Sequence, residues 1–198
     1  MELIGRFSLG NKVMVSDPCY GTDTWCQGVL ENVREGFWDA YIKVTDEGNW
    51  GSRVAELVAI NLDYNDEYAG LTSKDINELQ EFEVGVDSGT AGIFDYKYYC
   101  KCHTDKNADE DWYETQIIQQ FFPGVDSSTW ENSVFTEFNG VASSSGYGDG
   151  GYDCYVARNE EGEIVGIKIV YISDVDYEDT EEDTSDEPDK WDLYSFDA

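Results

Sequence analysis

Histidine, basic residues and long apolar runs are what this chain has least of, and each scarcity excludes something. Of 198 residues one is histidine, His103, and twelve are lysine or arginine. A single histidine leaves a Ser-His-Asp or Cys-His system only one place to form. Twelve bases against 43 acids give a formal net charge of −31, and such a field repels DNA and RNA backbones and anionic membranes. Direct nucleic-acid and membrane partners are therefore not expected. No apolar run approaches the length of a bilayer span, and Met1-Glu2-Leu3-Ile4-Gly5-Arg6 lacks the basic region and long apolar stretch of a signal peptide. These absences point to the cytoplasm. The cysteines, Cys19, Cys26, Cys100, Cys102 and Cys154, are odd in number and scattered, which argues for free thiols over a disulfide framework.

What is present argues for a folded body. The hydrophobic fraction is 40% and the aromatic fraction 15%, with 14 Tyr and 6 Trp, far from the composition of disordered chains. The length suits one core. We expect a single β-rich domain over 1–172 and an acidic, disordered tail over 173–198. From Asp174 onward there are twelve acids and one lysine, and the remainder of the chain is still strongly negative. Trp191, Leu193, Tyr194 and Phe196 are the apolar residues with which such a tail could dock. No internal repeat is visible.

Strand signals dominate. Lys12-Val13-Met14-Val15 is a short β-type run closed by Asp17-Pro18-Cys19-Tyr20-Gly21. Residues 37–45 partly alternate, with Trp38, Ala40, Ile42 and Val44 on one face, as a half-buried strand does. The turn Asp46-Glu47-Gly48-Asn49 suits a hairpin to a partner strand over 53–62. Residues 63–80 are polar and irregular, a loop with room for one helical turn. Residues 81–86 and 91–95 read as strands on either side of a tight turn at Asp87-Ser88-Gly89-Thr90. Residues 140–143 lead into a Gly-rich segment, and strands over 152–158 and 164–172 flank a turn at Asn159-Glu160-Glu161-Gly162. The best helix candidate is 109–122, opened by Asp109-Glu110-Asp111 and stopped by Pro123-Gly124. The expectation is a mostly β fold with a minor α part: an antiparallel β-sandwich or curled sheet with one short helix.

At Asp87-Ser88-Gly89-Thr90-Ala91-Gly92-Ile93-Phe94-Asp95, and again at Ser145-Gly146-Tyr147-Gly148-Asp149-Gly150-Gly151-Tyr152, the sequence resembles an uncharacterised family of bacteria and their phages, domain of unknown function 4241. The family pattern has an Asp-Pro element near the start, a Val-Asp-Ala-Gly-Thr-Gly element in the middle, and a Ser-Gly-(aromatic)-Gly-Asp-Gly element leading into a Tyr-x-Val-Tyr hairpin. The counterparts here are Asp17-Pro18, Val86 to Gly92, and Ser145 to Tyr155 with the strand from Gly162 to Val170. Ser88 and Ala91 depart from the usual Ala and Gly, and the acidic tail is not part of the pattern. The resemblance implies a fold and the place of a site, and no activity.

Three Gly-containing turns carry acids or hydroxyls: Asp17 with Cys19 and Tyr20, Asp87 with Ser88 and Thr90, and Ser143 to Asp149. Turns at strand ends are where rigid scaffolds present function. If the three converge they form a cleft containing the carboxylates of Asp17, Asp87, Asp95 and Asp149. The expected ligand-binding set is Asp17, Tyr20, Asp87, Ser88, Gly89, Thr90, Asp95, Ser145, Gly146, Tyr147, Gly148, Asp149, Gly150 and Tyr152. Its oxygens suit Mg²⁺ or Ca²⁺, and its hydrogen-bonding groups suit a ribose or nucleobase, with Tyr20, Trp25, Tyr147 and Tyr152 to stack on a base. The plainer account is that Gly and Asp make turns, each Asp bonding its own backbone. No catalytic residue, resident metal or cofactor is assigned.

Other motifs carry less. Val86-Asp87-Ser88-Gly89-Thr90 is similar to the aspartic-protease loop, whose chemistry needs two carboxylates sharing a proton, yet the chain has one such loop. Cys100-Lys101-Cys102-His103, with Cys19 or Cys26, holds zinc-type ligands without the usual paired spacing. Gly146 to Gly151 lacks the Gly-Lys-(Ser/Thr) of a phosphate loop. Three functions follow. One is a small-molecule binder, such as a sponge for a nucleotide signal of host defence. Another is an acidic mimic of nucleic acid that occupies a basic protein surface. The third is a metal-dependent hydrolase using the turn carboxylates.

Overall fold

The structure is a computed structural model that describes residues 1–65, 79–103, 139–173 and, as backbone, 134–137. The expected helix at 109–122 and the acidic tail lie outside the described residues. Among those described, eleven strands form two antiparallel sheets. The six-stranded sheet runs β1 (Glu2–Leu9), β4 (Gly36–Asp46), β5 (Ser52–Asn61), β11 (Ile164–Val170), β10 (Gly150–Arg158) and β6 (Gln80–Val86). The five-stranded sheet runs β3 (Gly28–Glu31), β2 (Lys12–Ser16), β7 (Thr90–Asp95), β9 (Gly140–Ser144) and β8 (Val134–Glu137). No described helix is long and apolar enough to cross a membrane.

Alternation along the strands builds the core. Phe7, Leu9, Trp38, Ala40, Val54, Leu57, Val84, Val86, Ile167 and Ile169 face inward from one sheet, and Val13, Val15, Leu30, Ala91, Ile93 and Val141 meet them from the other. This is the two-layer sandwich expected of half-buried antiparallel strands. The hairpins at 36–61 and 150–170 form as their turns suggest. Val44, expected on the buried face, pairs with the core residue Val54 and is 44% exposed; the register shift beside it leaves Ala55 unpaired, so the bulge lies in β5.

The turn at 87–90 does not close a hairpin. It carries the chain from β6 in one sheet to β7 in the other, so it caps one end of the sandwich. The observed helix, α1 (Tyr96–Cys102), follows β7 directly. Asp95 starts it by accepting from the Tyr98 amide (3.0 Å), a side-chain cap satisfying one of the helix's free N–H groups. Tyr99 packs α1 onto Phe94, ring centroids 5.4 Å apart.

The outer face of the six-stranded sheet carries charge. Asp39, Glu56 and Lys168 are almost fully buried there. Arg6 grips Asp39 through Nε (2.7 Å) and a second nitrogen (3.1 Å), with Asn65 donating to the same carboxylate (2.7 Å). Lys43 pairs with Glu56 (3.2 Å), and Lys168 lies over the Tyr155 ring.

Candidate functional site

Asp17 follows the last residue of β2 and is completely buried. Its Oδ1 accepts from the Cys19 amide (2.8 Å) and the Ser88 hydroxyl (2.8 Å). Oδ2 accepts from the amides of Asp87 (3.0 Å) and Ser88 (2.7 Å). These four donors are neutral. One carboxylate thus fixes its own turn and latches it to the sheet-crossing turn at 87–90, the kind of charge-assisted bonding that is stronger than a neutral pair.

The third turn is tied to the second. Gly89 accepts from the Ser145 amide (3.0 Å) and sits at φ +68, a left-handed conformation suited to glycine. Inside the 145–150 turn, Ser145 Oγ donates to the Gly148 carbonyl (2.8 Å), and the Gly148 amide donates back to the Ser145 carbonyl (2.9 Å). The Tyr152 hydroxyl lies within reach of both carbonyls, at 2.9 and 2.7 Å, and burial pushes its pKa up. Beneath these turns Ser143 shares a hydrogen bond with Tyr171 (3.2 Å).

A second network backs the first turn from α1. Gln27 Nε2 donates to Ser16 Oγ (2.9 Å) and to the Tyr99 hydroxyl (3.1 Å), and Ser16 Oγ donates to the Asp17 carbonyl (2.7 Å). The Tyr99 hydroxyl reaches the Tyr20 carbonyl at 2.5 Å, and burial raises its pKa. His103, expected in an exposed loop, instead ends α1, stacked on Tyr99 with ring centroids 4.3 Å apart. Its nitrogens face the carbonyls of Tyr99 (2.8 Å) and Pro18 (3.1 Å). Burial outweighs these bonds and lowers its pKa. A ring held this way wedges the end of α1 against the first turn.

The three turns therefore converge, and Asp17, Tyr20, Asp87, Ser88, Gly89, Thr90, Ser145, Gly146, Tyr147, Gly148, Asp149, Gly150 and Tyr152 share one end of the sandwich. Asp95 does not join them. It lies at the far end of β7, where Oδ2 accepts from the Gly10 amide (3.0 Å) beside its capping bond. Within the cluster the inward groups are occupied: Asp17 by four donors, Ser145 and Tyr152 by loop carbonyls. The buried Thr90 hydroxyl is the exception, making no hydrogen bond. The Tyr20 hydroxyl meets Asp87 and Cys26, and desolvation, then these neighbours, raise its pKa. All five cysteines are free, and no described group of three His, Cys, Asp or Glu side chains is placed to hold a metal ion.

What faces outward is different in kind. Asp87, Ser88 and Asp149 are exposed, as are Trp25 (94%), Trp50 (69%) and Tyr147 (55%). The Tyr147 hydroxyl bonds the Glu47 carboxylate, which brings the β4–β5 hairpin into the same end. Glu47 and Trp50 were not singled out from the sequence. Their signal is Gly48-Asn49-Trp50-Gly51, a tryptophan flanked by glycines at a hairpin tip where no core is available to it. Tyr99 carried no comparable signal, because its role depends on where α1 packs.

No curated protein and no solved structure matches the chain. A family model described as a protein of unknown function (DUF4241) matches residues 9–169, a span that includes all three turns and every described strand except most of β1 and the last residue of β11. The chain belongs to that family.

Proposed function

We propose that this protein acts by binding, without catalysis, and that the three-turn end of the sandwich is a recognition surface for a basic protein partner. The observation that carries this reading is the full occupation of Asp17 by neutral donors of its own chain. The most buried acid of the cluster is a latch, and what it latches is a rim of exposed carboxylates and aromatic rings. A rim of that composition suits lysine and arginine side chains, through long-range attraction and contact with ring faces. It suits a nucleotide less well, because phosphates approach a chain of net charge −31 against its field. The nucleotide-sponge reading competes directly. A hydrolase reading would need a base beside a turn carboxylate, and it is less favoured because the His103 nitrogens lie against the carbonyls of Tyr99 and Pro18.

The test presents the purified chain with a panel of linear and cyclic nucleotides and, separately, with arginine- and lysine-rich peptides. Retained nucleotide is released by heat and identified by mass spectrometry. We expect peptide binding that weakens steeply with salt and no retained nucleotide. Recovery of one intact nucleotide would make the protein a sponge, and a converted one would make it an enzyme; either result overturns the proposal.

A further inference from the structure

The β4–β5 hairpin ends in a short, stiff tip. Gly48 and Gly51 adopt φ +62 and +75. The tip is closed by bonds from the Gly48 amide to Asp46 Oδ1 (3.0 Å), from the Glu47 amide to the Gly51 carbonyl (3.0 Å) and from the Trp50 amide to the Glu47 carbonyl (3.2 Å). Trp50 is thereby held out from the core at 69% exposure. Across from it stands Tyr147, on the 145–150 turn, which is itself pinned by Ser145 and Tyr152. The two rings are perpendicular, with an interplanar angle of 85° and centroids 6.5 Å apart. The Tyr147 hydroxyl is fixed on the Glu47 carboxylate.

A lone exposed aromatic is ordinary. Here two rings from different loops are set at right angles by independently anchored backbones, with a carboxylate bonded to one of them. Ring faces carry negative quadrupole density and attract cations, and perpendicular walls of this kind are how aromatic cages hold ammonium groups. Arg53 donates from Nε to the Trp50 carbonyl (3.1 Å).

We propose that Trp50, Tyr147 and Glu47 form a half-cage for one cationic group, the ammonium or guanidinium of a lysine or arginine on a basic protein partner. Charge complementarity selects this occupant: Asp46 and Asp149 are exposed on the same two loops, and the chain as a whole is strongly negative. The inference rests on the reading of the turn end as a surface for a basic partner and names its anchoring contact. The hydrogen bonds that close both loops limit the ordering cost of capture.

The experiment titrates the full chain with Nα-acetyl-arginine amide, Nα-acetyl-lysine amide and the neutral Nα-acetyl-norleucine amide, following the tryptophan indole N–H resonances by NMR. The Trp50 signal, assigned by its loss in Trp50→Ala, should move saturably with the two cations and stay put with norleucine. Trp50→Ala should weaken binding of an arginine-rich peptide about fivefold, and Tyr147→Phe, which keeps the ring and loses the Glu47 bond, about twofold. Both side chains are exposed, so neither substitution removes core contacts. Equal movement with norleucine, or no movement with any probe, would overturn the half-cage. Peptide binding unchanged in Trp50→Ala sinks the half-cage and leaves the partner reading standing. A cation-dependent Trp50 shift without peptide binding by the wild type does the reverse.

Discussion

Two regions of this molecule bury carboxylates and satisfy them in opposite ways. On the outer face of the six-stranded sheet, Asp39 is held by Arg6 and Glu56 by Lys43, so each negative charge meets a positive one. At the turn end, Asp17 is held by three amides and one hydroxyl and meets no cation among these partners. The difference is instructive. Ion pairing cancels a field where it arises, whereas solvation by backbone dipoles stabilises a carboxylate and leaves its charge to add to the surroundings. The turn end thus combines an internal acid with exposed Asp87 and Asp149, and this is the end that presents paired aromatic rings.

The comparison can be broken by substitution. The largest effect belongs to Asp17→Ala, which removes a completely buried carboxylate and with it the four bonds that fix its own turn and tie it to the turn at 87–90. It should destabilise the chain by about 3 kcal/mol or more in denaturant titration. Asp39→Ala should cost less, about 1–2 kcal/mol, because the Arg6 side chain is half exposed and turns to water once released. If the order were reversed, the outer-face ion pairs would be the stronger element. A smaller effect sharpens the turn end. Thr90→Val keeps the shape and removes a buried hydroxyl that has no partner, so it should leave stability unchanged or raise it by about 1 kcal/mol. A loss on that scale would show that the hydroxyl is used.

The smallest effect is a pH dependence. Burial holds the folded-state pKa of His103 below the ordinary value of 6.5. Neutral imidazole is therefore the form that folding favours, and the associated stability is present above the unfolded-state pKa and lost as pH falls through the folded value. Because His103 is the chain's single histidine, one imidazole resonance followed by NMR reads it without ambiguity. A midpoint above 6.5 would mean that the two facing carbonyls outweigh desolvation.

Much of the sandwich was legible because its strands alternate and its hairpins are punctuated by glycine, as at 46–51 and 159–162. Convergence of the turns entered only as a condition, because neither their composition nor the family pattern says which strand ends meet in space. What periodicity does not encode is which sheet a strand joins, so the crossing at 87–90 looked like an ordinary turn. Asp95 resembled a site residue because it ends the same motif as Asp87, yet a six-residue strand separates the two ends of β7. Asp17 read equally as ligand or turn residue, since a carboxylate accepting from its own backbone and one awaiting a ligand share one sequence signature. The helix α1 was missed because Tyr96-Lys97-Tyr98-Tyr99-Cys100 is rich in residues with strand preference, and packing against Phe94 overrides that preference.

The central claim is that the turn end, more than the overall charge, recognises a basic partner. Two variants of equal net charge separate these: Glu47→Gln, Asp87→Asn and Asp149→Asn together at the turn end, and Glu31→Gln, Glu160→Gln and Glu161→Gln together at the opposite end. Calorimetric titration with one arginine-rich peptide at fixed salt should show a loss of about tenfold for the first and no more than about twofold for the second. Equal losses from the two would mean that the protein attracts bases by bulk charge alone and that the three turns are scaffold without a recognition role.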